Sequence, residues 1–228
     1  MREPWILTSG IAALHLPRFR AALRLDAPQQ GLGDLVVEDA ALPGNLLGLE
    51  VMDAHGATMR CVDAYVRGRD LAATYRVGGQ PLSVQVYWRV NDAHGDDLAC
   101  FDLIASIQTP AWESFPQLEV RTSLAGERRQ LASVQRDQES AELWRIDMHW
   151  SYAEASRGGD FTPAEQPAAT PDSPPISGSR WVSDGRFMER GVIRRLQMRG
   201  AIVARRHDEE AARAICPTLL REQPPLTA

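Results

Sequence analysis

The chain has 228 residues, 44% of them hydrophobic and 24% charged, with a formal net charge of −5. A chain of this length can bury roughly 70% of its unfolded surface and needs no disulfide framework, and its acidic balance speaks against a general nucleic-acid binder. All 25 basic residues are arginine, which excludes mechanisms that need a lysine amine: Schiff-base chemistry, pyridoxal-phosphate attachment and the phosphate-gripping lysine of a P-loop.

The N-terminal residues lack the arrangement of a secretory signal, because the apolar run 11–16 is interrupted by His15 and ended by Pro17. No run approaches the roughly 18 apolar residues that cross a bilayer. Residues 1 to 45 carry weak signals. Phe19, Ala21, Leu23 and Leu25 alternate with Arg20 and Arg24 as one strand, and Leu35 to Val37 reads as another. From Leu46 the pattern sharpens. Leu47, Leu49 and Val51 alternate with Gly48 and Glu50, the stretch Asp53-Ala-His55-Gly56 reads as a hairpin turn, and Arg60 to Val66 runs back.

The central region, Asp70 to Thr109, sets the fold class. Leu82, Val84, Val86, Trp88 and Val90 are apolar, while Ser83, Gln85, Tyr87 and Arg89 between them are mostly polar. That period of two puts one strand face on a core and the other toward water. Ala99, Phe101, Leu103, Ala105 and Ile107 repeat it, so the region reads as an antiparallel meander. Beyond an irregular corner at 110–116, Leu118 to Leu124 alternates again, Ala125-Gly126 turns into 127–130, and Leu131 to Arg136 reads as the returning strand. Residues 142 to 152 read as a single strand, with Trp144, Ile146, Met148 and Trp150 on one face and Arg145, Asp147 and His149 on the other. Residues 154–180, with five prolines, read as a flexible loop. A strand over Val192 to Val203 and a helix capped by Asp208 close the chain, with Pro217 ending or restarting the helix. The expected architecture is a mainly-β, antiparallel β-sandwich with one C-terminal α-helix, a single domain over 1–228.

No motif fixes an activity: G-x-S-x-G, G-x-G-x-x-G and H-E-x-x-H are all missing. The best catalytic candidate is the face Arg145, Asp147, His149. Residues at i, i+2 and i+4 of a strand lie roughly 7 Å apart, near enough for Asp to orient an imidazole that protonates a sugar oxygen. Tyr87 and Arg89 are candidates for the same ligand surface. Arg195 and Arg199 alternate with Gln197 in a segment, 180–206, holding eight Arg against Asp184 and Glu189, and could hold an anion. A short repeat pairs Asp53/His55 and Cys61 with Asp92/His94 and Cys100, 39 residues apart. Its spacing is unspecific for zinc, so no metal and no cofactor are expected. The odd, scattered cysteines Cys61, Cys100 and Cys216 fit a reduced cytoplasmic setting. Trp88, Trp144 and Trp150 fall on apolar faces, whereas Trp5, Trp112 and Trp181 are placed by no periodicity.

The segments Asp63-Ala-Tyr65-Val-Arg67-Gly68, Asp70-Leu-Ala-Ala-Thr-Tyr75, Gln85-Val-Tyr87-Trp88-Arg89 and Pro224-Pro-Leu-Thr227 resemble a conserved hypothetical protein family of planctomycete-type bacteria. That resemblance implies no activity, ligand or site. A sandwich bearing a His/Arg/Asp cluster also resembles galactose-mutarotase-like folds, in architecture alone. The expected function is a non-catalytic binding module for a small molecule, such as a sugar, or for a protein. A carbohydrate-active enzyme using His149, and an anion-binding module, are the alternatives. No nucleic-acid or membrane partner is expected.

Overall fold

The computed structural model describes residues 3–52, 58–93, 97–132, 140–165 and 176–222. The N-terminal part forms β1 (Trp5–Thr8), β2 (Ile11–His15), β3 (Phe19–Arg24), β4 (Leu32–Val37), β5 (Ala40–Leu42) and β6 (Gly44–Val51). A meander follows in β7 (Met59–Arg67), β8 (Asp70–Val77), β9 (Ser83–Asn91) and β10 (Ala99–Gln108). Then come β11 (Leu118–Ala125), β12 (Glu127–Ala132), β13 (Ser140–Arg145) and β14 (Trp150–Ser156). The chain continues through β15 (Thr162–Pro163), β16 (Ile176–Val182), β17 (Ile193–Ala204) and helix α1 (Asp208–Arg221).

The strands make two antiparallel sheets packed as a sandwich. One runs β1-β2-β3-β4-β6-β11-β16-β15, with β5 on β4, and the other runs β12-β13-β14-β17-β10-β9-β8-β7. The mainly-β fold with a C-terminal helix is therefore observed as the alternation requires. Leu82, Val84, Val86, Trp88 and Val90 are all buried against the opposite sheet. Ala125 lies in the first sheet and Glu127 in the second, so the chain changes sheet at Gly126. A glycine is required there: its φ is +139°, and a Cβ would sit 2.6 Å from the Arg145 carbonyl oxygen. Among the described residues no helix is long and apolar enough to cross a membrane.

Four readings of the sequence need correction. Residues 142–152 are a hairpin and not one strand: β13 ends at Arg145, β14 begins at Trp150, and Trp144 lies opposite Tyr152. The Asp147 carboxylate makes the turn, accepting the backbone N–H of His149 at 2.7 Å and of Trp150 at 2.8 Å. A four-residue connection preserves the parity of the alternation, so the period of two runs unbroken through a reversal. Within 154–180, read as a loop, β14, β15 and β16 occupy Glu154–Ser156, Thr162–Pro163 and Ile176–Val182, and Phe161 is buried; 166–175 lie outside the described residues. Residues 127–130 belong to strand β12 rather than to a turn. Finally, α1 is preceded by His207 at its N-cap and runs through Pro217 to Arg221. The missing proline N–H is tolerated at this surface helix, and Thr218 Oγ donates to the neighbouring Ala214 carbonyl at 2.7 Å.

Between the sheets lies a carboxylate that meets no cation among the described residues. Glu154, 0% exposed on β14, accepts the Tyr152 hydroxyl at 2.9 Å and Thr122 Oγ at 2.6 Å on one oxygen. Its other oxygen accepts Trp181 Nε1 at 2.7 Å and the Ser179 hydroxyl. Three of these donors stand on the opposite sheet, on β11 and β16. Removing one partner of a buried network leaves the others unsatisfied. Glu154→Ala is therefore expected to cost about 3–5 kcal/mol in urea unfolding. Glu154→Gln, which keeps one acceptor oxygen for the indole N–H, should cost markedly less.

Candidate functional site

The structure does not bring Arg145, Asp147 and His149 to a common face. Arg145 turns to α1, where its guanidinium meets Asp208 at 3.2 Å and Glu209 at 3.4 Å. Asp147 is engaged by the hairpin turn, and His149 is an exposed turn residue. The shared strand face on which that acid–base reading depended is replaced by a reversal of the chain.

Tyr87, Arg89, Arg195 and Arg199, in contrast, stand on one side of the second sheet, on β9 and β17 with β10 between them. Antiparallel register aligns outward side chains in rows across the strands. One row is Arg67, Asp70, Arg89, Asp102 and Arg199, alternating in sign from β7 to β17. The next is Tyr65, Ala72, Tyr87, Ile104 and Gln197, and Thr74, Gln85, Ser106 and Arg195 form a third. Helix α1 packs over β12, β13, β14 and β17. The outward residues of β7, β8 and β9 remain partly or fully exposed, Ala72 apart.

The first row is closed upon itself. Arg89 grips Asp70 with two hydrogen bonds of 2.7 Å. Arg199 grips Asp102 at 2.6 and 2.9 Å and reaches Glu222 at 2.6 and 2.8 Å. Hydrogen bonding to Asp70 raises the Arg89 pKa above its ordinary value. For Arg199, only 5% exposed, burial opposes the charge, but the hydrogen bonds it donates to Asp102 and Glu222 overcome this and the pKa is raised. These two arginines, expected from the sequence to meet a ligand, are instead held by carboxylates.

The second and third rows are different in kind. Tyr65 and Tyr87 flank Ala72 in register. Partial burial, together with Tyr65, raises the Tyr87 pKa, so the Tyr87 phenol stays a neutral donor and acceptor at ordinary pH. Beside them Ser106 is 6% exposed, and its buried hydroxyl has no hydrogen-bond partner among the described residues. It lies between Gln85 and Arg195 in its row. Tyr65 and Ser106 were not visible as site residues in the sequence; only the register across β7–β10 brings them beside Tyr87.

Other candidates do not converge. Cys61 and Cys100 are on β7 and β10, separated by two strands, about 14 Å at the usual strand spacing. Asp53, His55 and His94 lie outside the described residues. Burial pushes the Cys100 thiol up to about 12, which makes it an inert core thiol. Two adjoining clefts of about 380 and 520 Å³ share Leu16, Pro17 and Arg18 at one end of the sandwich. Their charges are closed in pairs, Arg18 with Glu38 and Arg69 with Asp92, and Trp150 Nε1 donates to Glu38 at 2.7 Å.

No protein-family model matches this chain, and no curated protein matches it. Among the solved structures that do match is one titled "Putative kojibiose phosphorylase from human microbiome". It aligns with 95% of this chain and 32% of its own, at a TM-score of 0.47 and 7% identity. This chain thus spans about a third of that protein's length. A likeness at this level carries nothing about chemistry.

Asp160, in the turn after β14, accepts the Gln197 backbone N–H at 2.9 Å. Burial pushes its carboxyl up from 3.8 to about 6, against that hydrogen bond and the nearby Arg157, Arg194 and Arg186. A raised folded pKa means the native state holds a proton that the unfolded chain has released. Its stabilising contribution is complete below pH 3.8 and lost as pH rises through about 6. Asp160→Asn is expected to remove that fall and to raise stability at pH 7 by about 1–2 kcal/mol, read by urea unfolding between pH 4 and pH 7.

Proposed function

We propose that this protein is a non-catalytic carbohydrate-binding module whose binding surface is the outer face of the second sheet. The observation that carries the reading is the pairing of Tyr65 and Tyr87 across Ala72, beside the buried, unpartnered hydroxyl of Ser106. A sugar presents C–H faces that pack on aromatic rings and hydroxyls that exchange hydrogen bonds. The face supplies both: two phenol rings, with the Gln85 amide, the Thr74 hydroxyl and the Arg195 guanidinium in the adjoining row.

A binding role is supported by the way charge is handled. Asp70 and Asp102 are each gripped by an arginine fork, which leaves their oxygens engaged within the sheet. Rigid forks suit a platform that presents fixed neighbours.

Isothermal titration with a panel of neutral oligosaccharides tests this, with inorganic phosphate as comparison. Binding of a neutral saccharide is expected, weakened about 10-fold by Tyr87→Ala, since an aromatic contact contributes on the order of 1 kcal/mol. Arg195→Ala should weaken it by a similar factor. Phosphate binding without saccharide binding, or saccharide affinity indifferent to Tyr87→Ala, would contradict the reading.

A further inference from the structure

The binding face makes no use of the most exposed aromatic side chains of the molecule. Trp112 is 77% exposed, Phe115 65% and Phe187 49%, with Val192 and Ile193 also exposed. Two loops, 109–117 and 183–192, hold them together. Ser114 and Met188 exchange backbone hydrogen bonds of 3.1 and 2.8 Å, and the Gly191 N–H donates to the Thr109 carbonyl at 3.3 Å. The Phe115 and Phe187 rings lie 5.6 Å apart, tilted at 53°. The Arg190 guanidinium sits 5.5 Å from the centre of the Trp112 ring. This is a clustered display of exposed apolar side chains, held in place by paired backbone hydrogen bonds.

The rim carries both signs. Glu113 and Glu189 are exposed and make no ion pair among the described residues, and Arg190 meets no carboxylate there. We infer that this patch is the interface of a two-fold dimer of this chain. A two-fold contact sets each residue pair twice, i on j and j on i. Arg190 of one copy then faces Glu113 and Glu189 of the other, while the aromatic rings exclude water between them. Trp and Arg are the residues that dominate such contacts when packed at their centre.

Other occupants fit the patch less well. A sugar stacks on open, near-parallel aromatic faces, but here the phenylalanines are tilted and Arg190 covers one face of Trp112. Val192 and Ile193 offer no hydrogen bond to a hydroxyl. An anionic membrane calls for an excess of cations, and Glu113 and Glu189 oppose it.

Sedimentation equilibrium of the full chain over about 1–200 µM tests the inference. A concentration-dependent mass rising to twice that of the monomer is expected. Trp112→Ser and Arg190→Glu should each raise the dimer dissociation constant at least 10-fold, with circular dichroism unchanged, and with melting temperature unchanged at a protein concentration low enough for the wild type to be monomeric, because both side chains are exposed. Mixing Arg190→Glu with a Glu113→Arg/Glu189→Arg variant should restore association as a heterodimer. A monomer throughout the range, or a dimer indifferent to both Trp112→Ser and Arg190→Glu, overturns the inference. The charge-swap mixture decides the matter if the tryptophan variant fails to fold.

Discussion

The two sheets are registered on each other by one buried carboxylate. Glu154 is enclosed in the core and meets no cation among the described residues; four donors saturate its two oxygens. Two of the donors are themselves held in place. Thr122 Oγ also accepts the Leu47 N–H at 3.1 Å, at a bulge where Leu47 takes φ +53° and the β6–β11 register shifts. Tyr152, a second donor, continues into a run of rings: it lies 5.5 Å from Trp144 and 6.4 Å from Phe101, and Phe101 lies 5.8 Å from Phe19 on the other sheet. Gly200 on β17 makes room for this run, since a Cβ there would come within 2.6 Å of the Tyr152 hydroxyl. On the neighbouring strand Glu142 lies opposite Glu154 and is gripped by Arg128 at 2.9 and 3.0 Å. Burial raises the Glu142 pKa against the pull of Arg128, and the Glu154 charge adds to the rise. A slip of either sheet would strand several polar groups at once, which is why a polar core element specifies one packing where an apolar one would tolerate several.

An arginine-only set of cations shapes the outer face in the same spirit. The planar guanidinium matches a carboxylate with two hydrogen bonds, and a lysine ammonium cannot. Arg89–Asp70, Arg199–Asp102 and Arg128–Glu142 are all of this form. Along the first row the forks lock neighbouring strands across the sheet. The tyrosines of the next row therefore stand on a stiff support. Fixed aromatic and amide groups lose little freedom on meeting a ligand, and preorganisation of that kind serves recognition more directly than it serves proton transfer.

The central meander was readable because its strands have one wet face and one dry face, so Leu82 to Val90 declares its period without help from the rest of the chain. β10 is already harder, since Cys100, Asp102, Ile104 and Ser106 are buried on the outer side beneath their neighbours' long side chains. The hairpin at 146–149 is invisible to a period of two because parity survives the turn. Glu154 was misplaced for a related reason: a buried carboxylate reads as a loop residue unless its donors on β11 and β16 are known. Tyr87 and Arg195 could be named from alternation, but Tyr65 and Ser106 could not. Nor could alternation show that Arg89 and Arg199 would be occupied by Asp70 and Asp102. Cross-strand register is a tertiary property, and no local pattern encodes it.

The most direct test of the binding face is to map it, by following backbone amide shifts of the isotopically labelled protein as a neutral oligosaccharide is added to saturation. The account predicts perturbations centred on Tyr65, Ala72, Tyr87 and Ser106, fading toward α1. Shifts confined to the cleft around Arg18, Glu38 and Trp150, or an outer face unmoved while the saccharide is bound, would contradict it.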